Sequence, residues 1–261
     1  MIESLDLGTI VLLCIAAGAA GWVDAVTGGG GLIQLPSLLI SMPNGPPADA
    51  LGTNKLSSII GTSAAATTYL RNTRIDLRTA LPMAVAAFIG AGLGALLASR
   101  IPAASFRPII LVMLIGVWLW TWLKPAMGTV EQLRWEGQRR HYGVAIIAGL
   151  GIGFYDGLIG PGTGSFLLIV LVAGLGLSFL KASATAKIVN VGTNVAALII
   201  FGFTGSVLWL LGLLMGACNL VGAVIGARTA IAKGSEFVRR VFLVVVALLI
   251  LRLAWDVLAG P

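Results

Sequence analysis

The chain has 261 residues, of which 58% are hydrophobic and only 10% charged, and its mean hydropathy is +1.00. Soluble domains carry roughly 25% charged residues, so a water-soluble fold is excluded, and apolar runs of the ~20 residues that span a bilayer recur down the whole length. The formal net charge of +7 would suggest nucleic acid as partner of a soluble protein. In a membrane chain such cations belong first to the positive-inside bias of the loops, and no nucleic-acid partner is inferred.

In chain order, apolar segments are predicted at 7–26, 31–42, 47–70, 79–99 and 106–123. A polar connector from Lys124 to Arg140 follows, and apolar segments resume at 142–159, 164–178, 181–203, 206–230 and 238–258. Glu3 and Asp6 precede the first run; without the basic region of a secretory signal peptide, that run is expected to stay as structure. The second segment of each set, roughly 12 and 15 residues, is below spanning length and starts at a glycine-rich break, the pattern of half-helices or re-entrant elements. The expected fold is an all-α polytopic membrane protein, a single membrane domain over 1–261. It divides into a first repeat at 7–123, a cytoplasmic connector at 124–141 and a second repeat at 142–258.

The repeat assignment rests on self-similarity. A constant shift of 132 positions places Asp24 on Asp156, Gly28 on Gly160, Gly30 on Gly162, Ala50 on Ala182, Thr53 on Thr185 and Lys55 on Lys187. With a small length change, Gly94-Ala95 and Arg100 fall on Gly222-Ala223 and Arg228. Loop charges add an orientation. Arg71, Arg74 and Arg78 share a side with Lys124, Arg134, Arg139 and Arg140, seven cations in all, whereas the loop between holds only Arg100 and Arg107. The seven-cation side is therefore assigned to the cytoplasm. In the second half the bias reverses: the turn at 203–206 has no charge, and the one with Arg228, Lys233, Arg239 and Arg240 has four cations. Equivalent loops thus face opposite sides, as two inverted-topology repeats require, with about 8 to 10 membrane segments in all. Both termini are predicted outside.

Chemistry is expected at the breaks. The first runs Gly21-Trp22-Val23-Asp24-Ala25-Val26-Thr27-Gly28-Gly29-Gly30-Gly31 and continues to Pro36; the second includes Asp156, Gly160-Pro161-Gly162-Thr163-Gly164 and Ser165-Phe166. Irregular backbone at membrane depth survives only where protein buries it or water lines it, and a helix starting there offers free N–H groups and partial positive charge to an anion. The alternative is that the glycines merely allow close helix packing. Lys55 in Thr53-Asn54-Lys55 and Lys187 in Thr185-Ala186-Lys187 lie about a third of the way into their segments. An intramembrane cation usually faces a pathway or a partner, though a single lysine could snorkel to the interface. The candidate substrate-binding residues are accordingly Gly28, Gly29, Gly30, Gly31, Thr53, Asn54, Lys55, Gly160, Gly162, Thr163, Gly164, Thr185, Lys187 and Asn190. Asp24 and Asp156 could cap backbone, pair with Lys55 or Lys187, or carry a coupling proton. Gln34, Ser58, Thr62, Asn194 and Asn219 add polar side chains to apolar helices, some of them only for inter-helix hydrogen bonds.

Other motifs are quieter. Cys14 and Cys218 have no metal-like or redox spacing and are expected to pack. The single histidine, His141, follows Arg139 and Arg140 in a predicted loop, where an interfacial role fits better than a metal site. No metal, cofactor or catalytic set is inferred. Trp118, Trp120 and Trp122, with Trp135 and Tyr142, suggest an interfacial aromatic belt.

These residues resemble the TauE/SafE sulfite exporter family of the 4-toluene sulfonate uptake permease superfamily, over nearly the whole chain. Gly21 to Pro36 and Ala50-Leu51-Gly52-Thr53-Asn54-Lys55 look like the first-repeat signature. Gly160 to Phe166 and Ala184-Thr185-Ala186-Lys187-Ile188-Val189-Asn190 are most similar to the YfcA-like branch, with Pro161 and Thr163 in place of two family glycines. The resemblance implies a bacterial inner-membrane permease for sulfite, sulfonates or related organosulfur anions, often an exporter, with the proton gradient as a candidate drive. The expected partners are thus a small anionic substrate, protons and the lipid bilayer, with a homo-oligomer left open. An accessory membrane scaffold is the alternative function. An intramembrane enzyme has no serine–histidine pair or metal cluster in its favour.

Overall fold

A computed structural model of the chain describes residues 6–42, 45–98, 111, 115, 118–119, 121–123, 128, 131–135 and 137–258. Its regular elements are helices: α1 (Leu7–Thr27), α2 (Gly31–Ser41), α3 (Pro47–Asn72), α4 (Leu77–Leu97), α5 (Arg139–Leu158), α6 (Thr163–Ile169), α7 (Phe179–Phe203) and α8 (Trp209–Leu258). A π-helical turn, Val170–Gly174, continues α6. Several boundaries follow from a local signal. Pro47 opens α3 in the first turn, where its missing N–H costs nothing. The Asp76 carboxylate accepts from the Arg78 N–H at the start of α4, and Ser178 caps α7 through the Lys181 N–H.

Leu7–Thr27, Leu77–Leu97, Phe179–Phe203 and Trp209–Leu248 are long and apolar enough to cross a membrane. Large apolar side chains stand exposed along them, among them Leu12 and Ile15 on α1, Leu81 and Val85 on α4, and Val221 and Ile225 on α8. Lipid accepts such faces where water penalises them, so the protein is a multi-pass membrane protein. The two short apolar helices, Gly31–Ser41 and Thr163–Gly174, are each about half the length that a ~30 Å hydrocarbon core demands.

The segments predicted at 206–230 and 238–258 are two helical arms that meet at Gly234, whose φ of 74° and ψ of −170° are not helical. The charged residues around it are adequate helix formers, so both arms run up to that single residue. One expectation changes: His141 is not in a loop. It sits in the first turn of α5, 4% exposed, with Nε2 2.9 Å from the Thr79 hydroxyl and Nδ1 2.9 Å from the Arg134 carbonyl. The segment predicted at 106–123, with Arg100, Arg107 and Trp120, lies largely outside the described residues.

Packing joins the halves of the sequence. Helix α1 runs along α8 and α5 along α4; α3 packs on α8 and α7 on α4; and α3 meets α7. Under the 132-residue shift α1 corresponds to α5, α3 to α7, and α4 to the first arm of α8, so each of these contacts has its counterpart. Glycine allows the close approach. A Cβ on Gly94 would come within 2.1 Å of the Phe154 carbonyl oxygen, and one on its equivalent Gly222 within 1.9 Å of the Gly18 carbonyl oxygen.

The cation-bearing turns gather at one end. Thr79, beside the Arg71–Arg78 turn, meets His141, and the connector's Gln132 and Arg134 donate N–H groups to Gly176 and Leu175 at 2.8 and 2.9 Å. Glu131 pairs with Lys181, the Leu180 N–H donates to Ser235, and the Arg239 guanidinium donates to the Thr121 carbonyl at 2.7 Å. Of the predicted aromatic belt, Trp122 is exposed, whereas the Trp118 indole is tied to the Leu243 carbonyl at 2.9 Å.

Gly94→Ala and Gly222→Ala are each expected to destabilise the protein by about 1–3 kcal/mol through overpacking. Gly92→Ala, whose Cβ would meet nothing within 4 Å, is expected to be neutral. Thermal unfolding of the three variants in detergent checks this.

Candidate functional site

Helix α1 stops at Thr27 inside the protein, where the left-handed Gly28 (φ 80°) turns the chain and returns its N–H to the Asp24 carbonyl. A helix end leaves its last carbonyls unpaired, and each of these finds a donor. The Lys187 ammonium donates to the Asp24 carbonyl at 2.6 Å, Tyr69 to Ala25 at 2.9 Å, Ser183 to Val26 at 2.8 Å and Ser165 to Thr27 at 3.3 Å. Three of the four donors come from the second half of the sequence. Lysine at a helix C-terminus also meets the negative end of the helix dipole.

The same lysine lies 2.8 Å from Oδ2 of Asp24. Its repeat equivalent makes the reciprocal pair: Lys55 Nζ is 2.7 Å from Oδ2 of Asp156. Each aspartate sits at the end of a broken helix, and each lysine comes from the other half. Both ammonium groups are buried, so neither snorkels. Removing one member of such a pair strands a charge in low dielectric, whereas the intact pair is close to neutral in energy. One partner has no counterpart across the repeats. The Thr163 hydroxyl is 2.7 Å from Oδ1 of Asp156, while the position equivalent to Thr163 is Gly31, with no side chain to hold Asp24.

Between the breaks the backbones touch. A Cβ on Gly28 or on Gly164 would lie 2.3 Å from the other's Cα. The first amides of α2 to find helical acceptors are those of Leu32, Ile33 and Gln34, bonded to the Gly29 and Gly30 carbonyls, which leaves the Gly29–Gly31 amides at the open helix end.

A small cavity of about 30 Å³ lies at this meeting point. Its walls are repeat-equivalent pairs: Asp24 and Asp156, Gly28 and Gly160, Gly31 and Thr163, Ser58 and Asn190, Thr62 and Asn194. Asn54, Lys55, Gly162 and Gly164 complete the lining without their counterparts. On α3 the residues Asn54, Ser58 and Thr62 are spaced four apart, which puts them on one helix face; Asn190 and Asn194 do the same on α7. The lining is predominantly polar and includes both broken-helix ends, so the site suits a small polar solute.

The sequence matches the profile of the family described as Sulfite exporter TauE/SafE across residues 13–253. The chain belongs to the TauE/SafE sulfite exporter family. A probable membrane transporter protein of a Sinorhizobium species is 40% identical, over 97% of this chain and 95% of its own length. Another from Haemophilus influenzae is 34% identical, over 97% of this chain and 98% of its own. The probable membrane transporter protein YfcA of Escherichia coli is also 34% identical, over 98% and 92%. No solved structure matches the chain.

In this TauE/SafE member the structure brings together Asp24, Gly28, Gly31, Asn54, Lys55, Asp156, Gly160, Gly162, Thr163, Gly164 and Asn190 from the sequence-derived set. The remainder lie elsewhere. Gly30 packs on the Ala20 carbonyl and Gly29 faces Val245. Thr53 accepts the Leu208 N–H at 3.0 Å, and Thr185 is buried off the cavity. Lys187 stands behind Asp24 and holds the end of α1. Ser58, Thr62 and Asn194 were absent from the set; their four-residue spacing, read across the 132-residue shift, is the signal that finds them. Asn219 donates to the Gln34 carboxamide oxygen at 2.7 Å, an inter-helix hydrogen bond. Cys14 and Cys218 are free thiols, and Cys218 packs against the apolar cluster of Leu13, Ala17 and Met215.

Lys187→Met is expected to cost about 3 kcal/mol by stranding the Asp24 carboxylate, and adding Asp24→Asn to recover at least about 1 kcal/mol of it. Denaturation of the two single variants and the double variant in detergent gives the coupling energy.

Proposed function

We propose that the protein transports small anions such as sulfite, sulfonates or related organosulfur compounds across the bacterial inner membrane, as an exporter working by alternating access. The observation that carries this is the cavity itself, walled by equivalent residues of the two halves and flanked by reciprocal ion pairs of which one, Lys55–Asp156, lines it while the Lys187 ammonium of the other is sealed off. Inverted-repeat transporters hold substrate between their repeats at broken helices and rock one repeat against the other. With 7–123 and 142–258 as such repeats, the two access states differ by exchange of roles. Lys55 borders the open cavity in one and Lys187 in the other.

In this mechanism the Gly31 amide at the open end of α2, the hydroxyls of Ser58 and Thr62, and the carboxamides of Asn54, Asn190 and Asn194 supply hydrogen-bond donors to the anion, while the Thr163 hydroxyl stays committed to Asp156. Lys55 offers its charge while Asp156 holds it in place. Asp24 and Asp156 are the groups through which proton movement would couple to transport, because protonating either releases its lysine. The cation-rich end that carries Arg71–Arg78 and the connector faces the cytoplasm by the positive-inside rule, and the termini lie outside.

Purified protein in liposomes loaded with sulfite or methanesulfonate is expected to release the anion faster than empty vesicles. Lys55→Ala, checked for correct folding, is expected to lower that flux by at least about tenfold, a loss of about 1.4 kcal/mol at the site. Flux no greater than that of protein-free liposomes for every small sulfur oxyanion tried would refute the proposal.

A further inference from the structure

Resting on that transport reading, we infer that the cavity discriminates by charge state: it accepts singly charged anions and rejects doubly charged ones. An oxyanion whose second dissociation falls near neutrality would then be carried as its protonated monoanion.

Among the described residues the charges around the cavity sum to zero. Among its lining residues the charged side chains are Asp24, Lys55 and Asp156, and Lys187 neutralises Asp24 from behind as Lys55 neutralises Asp156. The other titratable groups close by, the Tyr69 and Tyr155 hydroxyls, donate to the backbone carbonyls of Ala25 and Pro161. The rest of the lining consists of glycines and uncharged hydroxyls and carboxamides. Such groups stabilise an anion through dipoles but provide no net countercharge. Transfer of an ion out of water costs free energy that rises with the square of its charge, so a dianion meets about four times the penalty of a monoanion of the same size. A site holding one surplus cation would offset that; this one has none.

Calorimetric binding to the full-length protein in detergent, with three probes, tests the inference. Methanesulfonate is a monoanion throughout the neutral range, sulfate is a dianion there, and sulfite passes from one to the other. Sulfite affinity is expected to fall by about tenfold per pH unit above its second dissociation, the slope of one bound proton. Methanesulfonate affinity should stay level over the same interval, and sulfate should bind at least about tenfold more weakly than methanesulfonate. Asp156→Asn leaves Lys55 unneutralised, and in the folded variant the sulfate-to-methanesulfonate affinity ratio should rise by at least about tenfold. Sulfite binding that ignores pH, sulfate binding as tight as methanesulfonate, or an unchanged ratio in the variant overturns the charge-state inference while transport stands. A parallel pH-dependent loss for both methanesulfonate and sulfite also overturns it, because the protein's own groups would then be titrating. Binding of none of the three overturns the transport reading and this inference with it.

Discussion

A helix that ends within hydrocarbon must find donors for its last carbonyls, because lipid offers none and each orphan costs several kcal/mol. The end of α1 meets this demand through Lys187, Tyr69, Ser183 and Ser165. Much else follows from it. The donors on α7 must lie against α1, so α7 has to cross the molecule to the opposite half. That crossing in turn sets Lys187 against Asp24 and, by the repeat relation, Lys55 against Asp156.

The same requirement accounts for the glycines. With side chains at Gly28 and Gly164 the two breaks would collide, so the chain gives up side chains where the halves meet and concentrates polar groups just beside that point. The halves are nonetheless unequal. Thr163 braces Asp156 where Gly31 leaves Asp24 without a hydroxyl, and α3 presents Ser58 and Thr62 where α7 presents Asn190 and Asn194. Exact symmetry would make the two sides of this meeting point equivalent, and substitutions of this kind make them differ.

Much of the architecture was legible in the sequence because membrane helices are written in runs of apolar residues and their breaks in glycine. The short elements predicted at 31–42 and 164–178 correspond to Gly31–Ser41 and Thr163–Gly174. Pairing was less accessible. Lys55 and Asp156 are distant in sequence, and both the aspartate in its own break and the one across the molecule were candidate partners until the helix crossings were known. The break between the last two apolar segments was legible in its charged cluster, but its width was not, because those charged residues are helical on both sides of Gly234. The donors at the end of α1 escaped notice for a different reason. Ser165, Ser183 and Tyr69 are common residue types, and their importance comes only from the carbonyls they face.

The exchange of donors binds the two halves of the sequence to each other. The first half alone would hold a broken helix with unmet carbonyls and a buried lysine with no carboxylate. The second half alone would strand Lys187 and Asp156 in the same way. Neither half is self-sufficient, so a chain cut in the connector regains its fold only when both fragments insert together.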